Sequence, residues 1–253
     1  MPRLNVYGCG SPIRLPIAQA MAWGAGADAF ILGPNPNYMG GTSIIWGLIR
    51  GAPAVMDATR AAGFDFFQMD NAYFGRERYF RITRNALQIT QAGDRDDRRM
   101  MATFRETGHR LAPWRTDRPG PIVLCPSSHF LHGYFGTTIE AWIEDVTGRI
   151  RAVSDRPILV RPKALIGIEA QIADAWCVVT HVSAAGLDAL RLGIPVVTTA
   201  PCAASPLATP LEAIETPYVH GDRIRLFSTL AWGQFTPDEM RSGLAWQVLN
   251  GQA

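Results

Sequence analysis

The sequence predicts an α/β chain of two small lobes, each a largely parallel sheet covered by helices, facing a cleft. Three observations predict it. Apolar runs of strand length alternate with helical stretches in both halves, the pattern of parallel strands joined by crossover helices. The length, 253 residues, suits one large domain or two small ones. A Pro/Gly-rich stretch, "TDRPGP" at 116–121, sits between an Arg-rich segment and a fresh apolar run, "PIVLC". The expected boundaries are therefore 1–118 and 119–253, with the C-terminal helix able to pack back on the first lobe.

In the first lobe "LNVY" reads as a strand, followed by a Gly-rich turn and a helix over about 14–23. "DAFILG" is a second strand, stopped by the turn chemistry of "GPNPNYMGG". "TSIIW" gives a strand, 54–62 a helix and 65–69 another strand. From Arg76 to Arg118 the chain carries eleven Arg against six Asp and Glu. Within that span "GDRDDRR" predicts a solvated turn and "RMMATFRETGHR" a short helix. In the second lobe "PIVLC" is a strand. "TTIEAWIEDVTGRI" places Ile139, Trp142, Ile143 and Val146 on one helical face. "RPILVRPK" is a strand and "AQIADA" a short helix; "CVVT" and "IPVVTTA" are strands flanking a helix. "TPDE" at 236–239 starts the tail as a capping box, with Thr236 as N-cap, Pro237 at N1 and Glu239 at N3.

Composition narrows the class. Hydrophobic content of 47% and charge of 18% fit a globular chain with a real core. No apolar run reaches the length of a membrane helix and the N-terminus does not read as a signal peptide, so a cytoplasmic protein is expected. Cys9, Cys125, Cys177 and Cys202 form no CxxC pair; Cys125 and Cys177 lie inside apolar strand-like runs and are read as buried thiols in a reducing cytoplasm. No metal-binding spacing, GxSxG, P-loop or HExxH is present. Lys163 is the only lysine, so the basic residues are otherwise all Arg. Arg suits phosphate because its fork binds oxygens bidentately.

The densest pattern is "CVVTHVSAAGLDALRLGIPVV" at 177–197. A strand delivers His181 and Ser183 to the carboxyl edge of the sheet. Small residues then open a helix whose bare N–H groups suit a diphosphate. The alternative is an ordinary βαβ turn in which Ser183 is an N-cap and Asp188 faces water. "S-x-x-G-x-D-A-L-x-x-G-I-P-V" resembles the donor-binding segment of GT-B glycosyltransferases, with Asp188 standing where that family usually has Glu. The resemblance implies two Rossmann-like lobes, 1–118 on the acceptor side and 119–253 on the donor side. It also implies that Ser183 and the helix start face a donor diphosphate and that Asp188 takes the ribose. Ser127 and Ser128, in the loop after "IVLC", and Arg161 and Lys163, in "VRPK", are further donor-binding candidates. Arg161 and Lys163 share a face if their strand persists.

In the first lobe Asp70 ends an apolar strand, where a carboxylate can deprotonate an acceptor hydroxyl; the alternative is an Asp that caps the next turn. Tyr73, Arg76, Arg78 and Arg81 follow it, an interleaving of Arg and aromatics that can hold phosphates and stack bases. With the donor motif, "DNAYFGRERYFRITRNALQ" resembles phage-encoded transferases of modified DNA bases. That implies a hydroxymethylpyrimidine in DNA as acceptor, in a host cytoplasm. The sequence thus predicts a hexosyl transfer from a nucleotide sugar, UDP-linked, with no tightly bound cofactor and no metal. The rivals are a surface-polysaccharide acceptor, a non-catalytic nucleotide or nucleic-acid binding module, and a UDP-sugar epimerase.

Overall fold

The computed structural model describes residues 3–76, 78–90, 93–115, 119–161, 167–219 and 221–251. The chain divides into two compact units, one made of residues 1–103 and 228–253, the other of residues 104–227. Each is built as the alternation of apolar and amphipathic segments dictates.

Unit 1 begins β1 (Leu4–Cys9), α1 (Leu15–Ala25), β2 (Asp28–Leu32), β3 (Thr42–Trp46), α2 (Ala52–Ala61), β4 (Phe66–Asn71) and β5 (Phe80–Arg84). α3 (Arg98–Thr107) leads into unit 2. There the order is β6 (Ile122–Cys125), α4 (His129–Tyr134), α5 (Ile139–Arg151), β7 (Ile158–Val160), α6 (Ile168–Ile172), β8 (Cys177–Thr180), α7 (Ala185–Arg191) and β9 (Val196–Thr198). α8 (Arg223–Ala231) returns the chain to unit 1, which is completed by β10 (Gln234–Phe235), α9 (Pro237–Arg241) and α10 (Leu244–Leu249).

The sheet of unit 1 runs β10-β5-β4-β3-β1-β2. β2, β1, β3 and β4 are parallel; β5 is added antiparallel to β4, and β10 antiparallel to β5. Parallel strands with both faces covered need continuous apolar sequence, and β3 and β4 have it, with Ile44, Ile45, Trp46, Phe66, Phe67 and Met69 buried. One face is sealed by α1, α9 and α10: Ile17, Met21, Met240, Ala245 and Val248 share a core with Val6, Ile44, Phe67 and Ile82. α1 meets α9 at Gly24, where a Cβ would lie 1.8 Å from the Met240 carbonyl oxygen, so only glycine permits this approach. The tail is two helices rather than one, because Gly243, at φ 86°, breaks it between α9 and α10. Its start is the expected capping box: Thr236 Oγ1 accepts from Glu239 N at 3.2 Å and Glu239 Oε2 from Thr236 N at 2.8 Å. The sequence reading of the Arg-rich span holds no strand; the structure places β5 in it.

Unit 2 has a four-stranded, wholly parallel sheet, β7-β6-β8-β9. β6 and β8 are central and fully buried. α5 lays Trp142, Val146 and Ile150 on a core with Ile122, Leu124, Cys177 and Val179, the helical face read from sequence. Thr138 caps α5, accepting from Ala141 N at 3.1 Å. All four cysteines are free and buried. Among the described residues no helix is long and apolar enough to cross a membrane. Two mixed α/β units with parallel-rich sheets are the fold class the sequence predicts.

Candidate functional site

In open parallel sheets, ligands bind outside the carboxyl ends of the strands. In unit 2 those ends are Cys125, Val160, Thr180 and Thr198. Four of the predicted donor-binding residues, Ser127, Arg161, His181 and Ser183, lie within three residues after them.

Ser127 ties two strand-end turns together. Its hydroxyl accepts from Val182 N at 3.0 Å, and its own N–H donates to His132 Nε2 at 3.2 Å. Ser128 is the N-cap of α4, accepting from Leu131 N at 3.4 Å. Thr180 Oγ1 donates to the Cys125 carbonyl at 2.8 Å and accepts from Ser183 N at 3.2 Å. Ser183 Oγ in turn accepts from Ala185 N at 3.2 Å, so it shapes the turn into α7.

The electrostatic centre is a stacked pair of histidines. The His132 and His181 rings lie 5.1 Å apart at 14°, with Phe135 edge-on to His181 at 4.9 Å and Trp142 at 5.6 Å from His132. Trp142 Nε1 donates to Thr199 Oγ1 at 2.8 Å, and Thr199 Oγ1 lies 2.9 Å from His181 Nδ1. An indole N–H only donates, so Thr199 Oγ1 accepts from Trp142 and keeps its proton and a second lone pair for its contact with His181 Nδ1. His181 Nε2 is buried and has no partner among the described residues. His132 accepts at Nε2, so its proton is on Nδ1, also buried and without a partner there. Burial lowers the pKa of both, and His181 is lowered further by the like charge of His132. At neutral pH the pair is therefore two neutral imidazoles rather than cations.

A second group surrounds Cys125. Burial pushes its thiol up to about 11, while Arg161, bonded to the sulfur, pulls the other way and Asp188 adds to the rise. Arg161 and Asp188 thus both lie close to the end of β6. Arg161 Nε also donates to Gln171 Oε1 at 3.0 Å. Asp188 is buried in the first turn of α7 rather than exposed. β7 stops at Val160, short of what a shared strand face for Arg161 and Lys163 requires. Lys163 lies outside the described residues.

In unit 1 Asp70 lies at the carboxyl end of β4, in register with Arg81 of β5. Arg81 Nη2 donates to Asp70 Oδ2 at 3.1 Å and Nη1 to the Asn71 carbonyl at 2.6 Å. Asn71 N donates to Asp70 Oδ1 at 2.7 Å. The Asp70 side chain is 27% exposed and that of Arg81 6%, so the guanidinium is an internal strut for the carboxylate. Tyr73 is buried, its ring under Arg81 at 5.7 Å, and burial raises its pKa strongly. Arg76 and Arg78 are exposed. Elsewhere in the Arg-rich span Arg84 pairs with Asp65, Arg98 with Asp96 and Arg99 with Glu239. Much of the basic charge read as a phosphate surface is thus compensated inside the unit.

Sequence reasoning misses Thr199, Trp142 and Gln171. The first two lie 57 residues apart and meet only through the fold. The one available signal for Thr199 is its place just after β9.

No family model and no curated protein matches the chain. Among solved structures it is similar to the beta Kdo 2,7 transferase of KpsC from Thermosulfurimonas dismutans, at 13% identity and TM-score 0.54, over 99% of this chain and 100% of that one. A second likeness, to the beta Kdo 2,4 transferase of the same KpsC, is at 13% identity over 89% of each chain with TM-score 0.41, too low to carry an argument. The first likeness shows a shared fold, in keeping with the GT-B-like class predicted from sequence.

Proposed function

We propose that the chain is a glycosyltransferase that moves a sugar from a nucleotide sugar to a hydroxyl of a polysaccharide. The observation that carries this is the carboxyl edge of unit 2: Ser127, His181, Ser183 and the Arg161–Asp188 surroundings of Cys125 gather where a parallel sheet takes a nucleotide. There His181 Nε2 is buried with no partner among the described residues, and we assign the ring proton to it. Held by Thr199 and Trp142, it can hydrogen-bond a phosphate or base oxygen with no charge of its own. Arg161 supplies the cation, and together they stabilise the leaving group as the glycosidic bond to it breaks. In unit 1 we assign Asp70, oriented by Arg81, as the base that takes the acceptor's proton.

The fold likeness is to an enzyme whose name gives Kdo as the transferred sugar, so Kdo is the first sugar to test here. Arg81, one of the residues read as gripping DNA, supports Asp70 instead. Both points put a polysaccharide acceptor ahead of a DNA base.

The test is thermal unfolding with a panel of nucleotides, followed by transfer from the matching sugar nucleotide to polysaccharide and to hydroxymethylated DNA. A ligand at a hundred times its Kd stabilises by about 2.7 kcal/mol, which is easily read. The expected result is a shift with one nucleotide that His181→Ala abolishes, and transfer to polysaccharide that Asp70→Asn abolishes while the shift remains. A chain that no nucleotide stabilises overturns the donor assignment. Transfer that survives in Asp70→Asn overturns the base.

A further inference from the structure

β1 and β3 are neighbours in the sheet of unit 1, yet the helices that follow them lie on opposite faces. α1 shares a core with Ile44, Trp46 and Phe67. α2 meets the other face: its Thr59 Oγ1 donates to Ser43 Oγ at 2.8 Å, and Ser43 alternates with Ile44 along β3. Such a reversal leaves a crevice outside the carboxyl ends of the two strands, the place where open α/β sheets take ligands. Here its walls are the loop from Gly10 to Arg14 and the loop from Gly47 to Gly51.

Each loop brings an arginine. Arg14 stands at the start of α1, its guanidinium carbon 5.7 Å from the centre of the Trp46 ring at the end of β3. Arg50 stands just before α2. Its Nη1 donates to the carbonyl of Leu32, at the end of β2, at 3.3 Å, and a Cβ on Gly10 would lie 3.7 Å from that nitrogen. The two guanidinium groups therefore flank the end of β1. Among the described residues neither makes an ion pair, whereas Arg3, Arg60, Arg81, Arg84 and Arg99 of the same unit all do. The bond to Leu32 uses only one donor of the Arg50 fork. Arg50 also sits at φ 54°, a left-handed conformation that glycine takes freely and arginine does not. Strain of this kind gathers at ligand sites. α1 and α2 begin here with no side-chain cap and no acidic residue in the first turn, so their positive ends add to the field of the two arginines.

We propose that this crevice holds an oxyanion of the acceptor between Arg14 and Arg50, so that the acceptor is an acidic glycan rather than a neutral one. The proposal rests on the transferase reading above. Guanidinium forks match carboxylate and phosphate oxygens alike. The end of β1 is two strand spacings, about 10 Å, from the end of β4, where Asp70 stands. One glycan can thus place its charge at the arginines and its hydroxyl at the base.

The test uses the full chain labelled with 15N and the Nε–H resonances of Arg14 and Arg50, identified by their loss in Arg14→Gln and Arg50→Gly. Glucose, glucuronate and glucose 6-phosphate share a ring and differ at one carbon; each is titrated separately, without nucleotide. The expected result is a saturable shift of both resonances with glucuronate or glucose 6-phosphate, whichever binds tighter naming the oxyanion. Glucose binds at least about tenfold weaker, a difference of about 1.4 kcal/mol. Arg14→Gln and Arg50→Gly each weaken anion binding about tenfold. Glycine at position 50 takes the left-handed conformation without strain, so Tm holds and lost binding is not lost folding. In transfer, an acidic polysaccharide is preferred to a neutral one, and Arg50→Gly raises KM for it about tenfold while the Tm shift given by the nucleotide remains. Resonances that neither anion moves, or that glucose moves equally, overturn the site. Equal transfer to acidic and neutral polysaccharide overturns the acceptor class. Anion binding without transfer to any glycan upholds the oxyanion site and overturns the transferase reading instead.

Discussion

Gln234 of β10 is fully buried and serves the loop that follows Asp70. Its Oε1 accepts from Tyr73 N at 3.0 Å and Phe74 N at 3.3 Å, and its Nε2 donates to the Phe74 carbonyl at 3.1 Å. Replacing it by Leu conserves volume but removes all three bonds, two from backbone N–H groups and one to a backbone carbonyl. At about 1–3 kcal/mol for each buried bond lost from one side, and with partial relaxation, the expected loss is about 3–5 kcal/mol. For a chain of this length that corresponds to roughly 2–4 °C per kcal/mol, or about 6–20 °C in Tm. Differential scanning calorimetry of the wild type and Gln234→Leu reads it directly. Gln234→Glu should fall nearly as far, because a carboxylate oxygen would then face the Phe74 carbonyl. A fall of under about 2 °C in Gln234→Leu would refute the reasoning, since it would mean that water replaces all three bonds at no cost.

Two further outcomes follow from features already described. His132 and His181 have folded pKa values below the ordinary 6.5, so the unfolded chain binds protons that the folded chain does not. Their neutral burial is fully compatible with folding above about pH 6.5, and stability should fall as the pH drops below it toward the folded values. Tm measured from pH 8 to 5 should show this slope, and His132→Phe should flatten it; an unchanged slope would remove the pair as its source. One substitution should act with opposite sign at two helical glycines. Gly24→Ala drives a Cβ into the Met240 carbonyl and the Gly243 backbone and should cost several kcal/mol, on the order of the large core defects. Gly148→Ala, in α5 with open space around it, should gain about 0.4–1 kcal/mol; urea titration of both checks the contrast.

The apolar runs of β4, β6 and β8 were legible because a strand covered on both faces must be apolar throughout. So were the capping box at Thr236 and the helical face of α5. β5 was not legible. Its "FRITR" carries two arginines, and Arg81 makes sense in a strand only once Asp70 stands opposite it. β10 has two residues, too few for any period to show. At the candidate site, position after a strand pointed to Ser127, His181 and Ser183. What holds His181 came from elsewhere: a tryptophan on α5 and a threonine past β9, joined by bonds between residues far apart in sequence. The burial of Asp188 is not legible either: the family resemblance turns it toward a ribose and an ordinary βαβ turn toward water, whereas every residue of α7 is buried.

Unit 1 is closed by its last segment, after the whole of unit 2. During synthesis residues 1–103 must therefore wait while the 124 residues of 104–227 are made. At roughly 5–20 residues per second that is about 6–25 s. Over that interval β5 lacks its β10 neighbour, Tyr73 and Phe74 lack Gln234, and α1 lacks the helices that cover it. A nascent chain with an unpaired strand edge and a bare apolar helix face is a substrate for chaperones and a hazard for aggregation. Unit 2 has no such debt, since all its strands are contiguous, and it should be the first part of the molecule to become native on the ribosome.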